Sequence, residues 1–186
     1  MKKIVAGSIA LAAFVGATAF TIQAVMNWKI DSEKAMVKFS LTAHGQELIG
    51  NFKGATGEVK FDENDPANSS LRCNIDMSTI NTGIGSRDKH LQAKGFFDAA
   101  ATPFSTFTST KMERMKEGYL VTGNLHMKET TQAISIQMIF NGAGADAGTF
   151  TGSFFIKRSD YKIGEVDDEI SDDVKISFEI PVTKIN

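Results

Sequence analysis

Apolar residues recur at every second position over most of the chain. Ala35, Val37, Phe39 and Leu41 alternate with Met36, Lys38, Ser40 and Thr42. Val59 and Phe61 alternate with Glu58, Lys60 and Asp62, and Leu71, Cys73, Ile75 and Met77 with Arg72, Asn74, Asp76 and Ser78. Tyr119, Val121, Leu125 and Met127 share one face of a further run, opposite Thr122, Asn124 and His126. Ile134, Ile136, Met138 and Phe140 form another row, and the most regular row is Val174, Ile176, Phe178, Ile180 and Val182. Side chains on a strand alternate between two faces, so this period predicts strands with one buried and one wet side. Turn-forming clusters at 62–68, 116–118, 128–131 and 141–148 separate the runs. With further runs at 48–54, 104–112 and 149–158, the pattern predicts about eight or nine antiparallel strands. A sheet of that length closes or splits. Closure removes exposed edges, so an all-β, eight-stranded antiparallel barrel is expected in preference to a sandwich. Pro181 stands against a continuous last strand because it has no ladder donor; it is expected at a strand end or a bulge.

The alternation stops between Ser78 and Pro103. Ser86 is placed to N-cap a short helix through Arg87, Asp88, Lys89, His90 and Leu91. Phe96 and Phe97 follow, then Asp98 and a run of alanines. This short helix and loop insertion reads either as a lid over a barrel mouth or as a satellite hydrophobic cluster under a loop.

The first residues read as an address. Met1-Lys2-Lys3 precedes an uncharged, Ala-rich stretch from Ile4 to Val15, and Ala17-Thr18-Ala19 has the small-x-small form of a cleavage site. Residues 1–19 are therefore expected to be a cleavable signal peptide and 20–186 one barrel domain, periplasmic or secreted. The alternative is a retained anchor, since the uncharged stretch continues to Asn27.

Composition narrows the chemistry. Net charge is −2 and pI about 5.9, with no long basic run, which argues against nucleic acid as a partner. A single cysteine excludes an internal disulfide, and Cys73, inside an alternating run, reads as a small core residue. Fourteen Phe against two Tyr and one Trp favour large apolar area without polar handles. His44, His90 and His126 lack metal-pair spacing, and neither a nucleophile elbow nor a phosphate-binding glycine loop occurs. No catalytic residue, metal or cofactor is expected. The acidic stretch from Glu165 to Asp173 lacks the spacing of a calcium loop and reads as a solvated turn. Arg158 and Asp160 lie two apart at the end of a run, so both are expected to point into the barrel. They would form an ion pair closing one end, with Trp28 stacked on the guanidinium, or else a polar anchor for a ligand head.

Read in order, these segments resemble the YceI-like family of polyisoprenoid-binding proteins with a lipocalin-like fold. The resemblance starts at Trp28-Lys29-Ile30-Asp31 and runs through Val37-Lys38-Phe39-Ser40, His44, Gly50-Asn51-Phe52 and Gly57-Glu58-Val59-Lys60-Phe61-Asp62. Its most specific block is Ile80-Asn81-Thr82-Gly83, Arg87-Asp88-Lys89-His90-Leu91, Phe96-Phe97-Asp98 and Pro103. Thr106 to Thr110, Gly123 to Lys128, Arg158-Ser159-Asp160-Tyr161 and Asp173-Val174-Lys175-Ile176 complete it. Lys34-Ala35 stands where the family often has His-Ser, and Glu129 and Lys162 where it usually has glycine.

The resemblance implies a barrel whose interior holds a long isoprenoid chain, such as a quinone tail or polyprenyl lipid. Phe39, Phe52, Leu91, Phe96, Phe97, Phe107, Val121 and Phe154 are then expected along the chain, and His44, Arg87, Asp88, Arg158 and Asp160 as polar contacts. Such a protein would be a lipid carrier, monomer or homodimer, with transient membrane contact. The alternative is a secreted structural barrel with a filled core, because small barrels commonly fill their interiors with side chains.

Overall fold

The structure is a computed structural model and describes residues 26–185. The expected signal peptide and its cleavage site lie outside these residues. Among the described residues ten strands are present: β1 (Asn27–Ile30), β2 (Met36–Ala43), β3 (Gln46–Lys53), β4 (Thr56–Lys60), β5 (Ser70–Asp76), β6 (Phe104–Arg114), β7 (Tyr119–Met127), β8 (Thr130–Gly142), β9 (Ala147–Lys157) and β10 (Asp173–Lys184). One helix, α1 (Gly85–Leu91), lies in the insertion between β5 and β6.

Ten strands make eight staves. Strands β4 to β10 pair antiparallel in succession. The free edge of β10 carries both β2 (Phe39 opposite Ile176) and β1 (Ile30 opposite Val182). β1 and β2 are therefore two halves of one stave, interrupted at 31–35. β3 pairs with β2 and β4 with β1, so they form a second stave, interrupted at Gly54 and Ala55. The β1–β4 and β1–β10 pairings close the ring.

Pro181 lies inside β10, opposite Thr149 of β9. Its carbonyl accepts from the Asp31 amide across the gap between β1 and β2. In an antiparallel ladder a residue's N–H and C=O point to the same side, so the donor that Pro181 lacks faces the break in its neighbour. Neither a strand end nor a bulge is needed. A bulge does occur in β6, where the register slips between Ser109 and Lys111. That extra residue lets both Phe107 and Met112 face inward although their numbers differ in parity.

The abundant Phe residues lie against the wall. Phe39 covers Gly50, Phe107 covers Gly123, Phe140 covers Gly148 and Phe178 covers Gly152, each across neighbouring strands. A methyl group at any of these glycines would sit within 2.2–2.6 Å of the ring. A ring whose tip fills the space above a residue with no side chain supplies apolar surface close to the wall. Over the hollow part of the barrel, large residues such as Phe39, Phe107 and Phe178 therefore line the interior without filling it.

One end is sealed. Trp28, Phe61, Tyr119, Phe140 and Phe150 meet there, with ring centroids 4.8–5.4 Å apart. Trp28 Nε1 donates to the Phe61 carbonyl at 3.0 Å, so the indole N–H of the plug is satisfied.

Candidate functional site

Above the aromatic plug the barrel is hollow. The cavity has a volume of about 1100 Å³ and opens at the end opposite the plug. Phe150, Met138 and Ile180 form its floor, and Phe39, Phe52, Phe107, Leu125, Phe154 and Phe178 line its walls. Its mouth carries His44, Glu47, Thr82, Arg87, His90, Arg158 and Glu165. The filled-core alternative does not fit this interior.

Two irregular segments build the mouth. β5 pairs with β4 but not with β3, so the wall beside β3 is left to the insertion. Asn51 and Asn81 exchange backbone hydrogen bonds of 2.9 Å, and the Thr79 hydroxyl bridges the Lys53 N–H and C=O. Phe97 packs edge-on against Phe52 at 5.7 Å, and His90 lies over Phe96 at 4.8 Å. The insertion thus completes the wall and overhangs the opening, which is the lid reading of this segment. The second segment runs from 158 to 172. It joins the insertion through the Gly164 amide, which donates to Gly95 at 3.0 Å. It joins β2 through Ser171 to Thr42, and through an exposed His44–Glu169 pair at 3.1 Å.

Cys73 faces the hollow, and burial pushes its thiol up to about 11. Its residual accessible surface faces an apolar cavity, where desolvation disfavours the thiolate. Burial likewise raises the Tyr161 phenol to about 12, with Asp160 adding to the effect. Asp172 is held below the usual carboxylate range, first by the Ser159 backbone amide it accepts from.

Residues 28–182 match the YceI-like domain. The chain belongs to the YceI-like family. A UPF0312 protein of Yersinia enterocolitica is 33% identical over 80% of this chain and 83% of its own length. Among solved structures, BcnA of Burkholderia cenocepacia superposes with a TM-score of 0.77 at 27% identity, covering 82% of this chain and 98% of that one. A polyisoprenoid-binding domain from Saccharophagus degradans gives a TM-score of 0.69 at 16% identity over 86% of this chain and 99% of its own, a likeness of fold alone.

Within this YceI-like barrel, Phe39, Phe52, Leu91, Phe96, Phe97, Phe107, Val121 and Phe154 all line the cavity, as do His44, Arg87 and Arg158. Asp88 and Asp160 do not. The Asp88 carboxylate accepts from the amide and hydroxyl of Thr82 and so braces the insertion from within. Asp160 is exposed. The expected Arg158–Asp160 pair fails because β9 ends at Lys157 and Ser159–Tyr161 is a 3-10 turn. Residues two apart share a side only on a strand. Arg158 instead donates to the carbonyls of Ile163, Glu165, Ile170 and Ser171. Trp28 cannot stack on it, because Trp28 pairs near Lys184 and Arg158 adjoins Asp173, at opposite ends of β10. The ring lies beside Lys184 instead, with the ammonium 5.8 Å from its centroid.

The expected cap at Ser86 is also corrected. The helix begins at Gly85, after Ile84, and no side chain caps it. Where the family usually has glycine at 162, Lys162 adopts the left-handed conformation with φ 55°; in the turn at 128–129 it is Lys128 that does so, with φ 53°. Sequence reasoning left out Phe178 and Ile180, although their alternating row carried the signal. It also missed the contribution of 163–170 to the mouth, which no periodicity marks.

Proposed function

We propose that this YceI-like protein binds a long-chain isoprenoid or similar amphiphilic lipid, tail in the barrel and head at the mouth, and exchanges it with membranes. The observation that carries this is the 1100 Å³ hollow, apolar along its length and closed at one end. The fold likeness to a domain described as polyisoprenoid-binding supports it. A blind apolar tunnel fits a single long tail better than a compact polar metabolite.

Energetics favour a carrier. Removing a tail from water releases roughly 0.8 kcal/mol per methylene, but the competing place for that tail is a bilayer, already dry. Transfer between the two is near neutral, so loading and unloading need no other energy source. Phe39, Phe52, Leu91, Phe96, Phe97, Phe107, Val121 and Phe154 contact the tail in this reading, and His44, Arg87 and Arg158 face the head. In this reading the exchange takes place in the periplasm or outside the cell, the location expected from a cleavable signal peptide.

The test is organic extraction of the purified protein with mass spectrometry of the extract, followed by alkylation of Cys73 before and after loading. A co-purifying amphiphile, and protection of Cys73 once the cavity is loaded, are expected. A protein that yields no lipid, takes none up and leaves Cys73 equally accessible would refute the reading.

A further inference from the structure

Arg87 and Arg158, both at the mouth, form no ion pair among the described residues. Arg158 is 6% exposed, so its charge lies in a weakly polarisable surrounding. Its Nε donates to Ser171 at 3.1 Å, Nη1 to Ile163 at 3.2 Å and to Glu165, and Nη2 to Ile170 at 2.9 Å. All four acceptors are neutral backbone carbonyls, and a guanidinium has five N–H groups, so one at Nη2 is left over. Arg87, half-buried on α1, donates from Nε to the Thr82 hydroxyl at 2.8 Å and from Nη2 to the Thr82 carbonyl at 2.9 Å. Its acceptors are neutral too. Both residues line the cavity.

The nearby carboxylates are hydrogen-bonded elsewhere or face solvent, although the pKa of Asp172, lowered first by the Ser159 backbone amide, is also lowered in part by the nearby Arg158 charge. Asp88 is held by Thr82, and Asp172 by the amide and hydroxyl of Ser159. Asp167 accepts from the amides of Glu169 and Ile170, and Glu169 pairs with His44. Glu47, Glu165 and Asp167 also line the mouth, but each is exposed to solvent. Among the described residues, the ion pairs are made by lysines and His44, and none uses an arginine.

A buried cation satisfied only by dipoles retains an unmet attraction for an anion. Here that attraction is directed at the place where an amphiphile's head would rest. We propose that the mouth selects lipids with an anionic oxygen head group, a phosphate ester or a carboxylate, over neutral lipids with the same tail. Arg158 and Arg87 are the selecting residues. This rests on the lipid-binding reading above and narrows it: a neutral alcohol or quinone enters the same hollow but leaves both charges uncompensated.

Matched ligands test it on the intact protein. Geranylgeranyl phosphate is compared with geranylgeraniol, and palmitate with hexadecanol, each displacing a fluorescent apolar probe below its own aggregation concentration. The anionic member of each pair is expected to bind about ten-fold tighter or more, as charge-assisted hydrogen bonds do over neutral ones. Added salt and Arg87→Gln should each bring the ratio down. Preference for phosphate alone, or for both anions, supports the proposal and fixes the head-group class. Equal affinity within pairs, or preference for the alcohols, overturns it while leaving lipid binding intact. If no member of either pair displaces the probe, the lipid-binding reading falls first and this one with it. Because the comparison is made on the unaltered chain, it does not depend on whether an Arg158 variant folds.

Discussion

Gly50→Ala probes directly whether wall packing keeps the barrel hollow. Gly50 lies opposite Phe39 in the β2–β3 ladder. A methyl group there would sit 2.2 Å from Cζ of that ring, 2.6 Å from Cε1 and 3.0 Å from Cε2, and these are its three nearest atoms. The ring must leave the wall. In a solid core such overpacking costs about 1–3 kcal/mol. Here the ring has empty space to enter, so the main cost is a strained rotamer of about 0.5–1.5 kcal/mol. Alanine in place of glycine in a strand returns about 0.5–1 kcal/mol. The net loss is therefore about 1 kcal/mol or less, a fall in Tm of about 2–4 °C. Affinity for an apolar fluorescent probe should fall several-fold, since the displaced ring occupies the cavity, and adding Phe39→Leu should restore it. Thermal melts followed by circular dichroism, paired with probe titrations, measure both quantities. A loss of about 3 kcal/mol with a Tm drop near 10 °C would mean the ring has nowhere to go. Unchanged probe binding would mean Phe39 does not bound the occupied space. Either result refutes the wall-packing argument.

Phe150→Ala removes the floor beside Phe61 and Phe140; it should cost about 3–5 kcal/mol and lengthen the longest alkyl chain accepted, measured with ligands of increasing length. The Cys73 thiol, raised from 9.0 to about 11, keeps its proton in the folded state after the unfolded chain has lost it. Its contribution is therefore complete below about pH 9 and lost as pH rises through 11. The loss amounts to about 2–3 kcal/mol, and urea titrations of wild type against Cys73→Ala should diverge only in that window. Pro181→Ala should shift stability by no more than about 1 kcal/mol in denaturant unfolding, because the amide it restores faces the break between β1 and β2 and the remaining effect is on the unfolded chain. Lys162→Gly should raise stability by up to about 1–2 kcal/mol in the same assay, by relieving a left-handed conformation that costs a residue with a Cβ.

Strand identity was legible because burial on one face imposes period two. The rows ending at Met127, Phe140 and Val182 lie in β7, β8 and β10 as read, and the barrel follows from their number. The split of two staves was not legible. Nothing in the alternation of Val37, Phe39 and Leu41 reveals that β1 lies on the same edge of the same partner. Pro181 looked anomalous only because that break was hidden. Most of the apolar site was readable, since a residue on the inner face of a barrel necessarily faces its interior. The polar site was readable only in part. Arg158 and Asp160 were projected along a strand that had already ended, and the fate of Asp88 depends on Thr82, six residues earlier. Such local turns are set by individual hydrogen bonds, which leave no period in a sequence. Hollowness itself was the least visible feature, because it depends on which glycine each Phe lies across, a matter of register.

That register has a consequence for how such a protein can change its ligand. The bore of the tunnel is set by couples, one aromatic and one glycine on adjacent staves. Enlarging the bore by trimming the ring alone bares backbone, and narrowing it by filling the glycine alone evicts the ring. Caliber therefore changes in discrete increments that require two concerted substitutions, and chains descended from this one should exchange the members of each couple together or not at all.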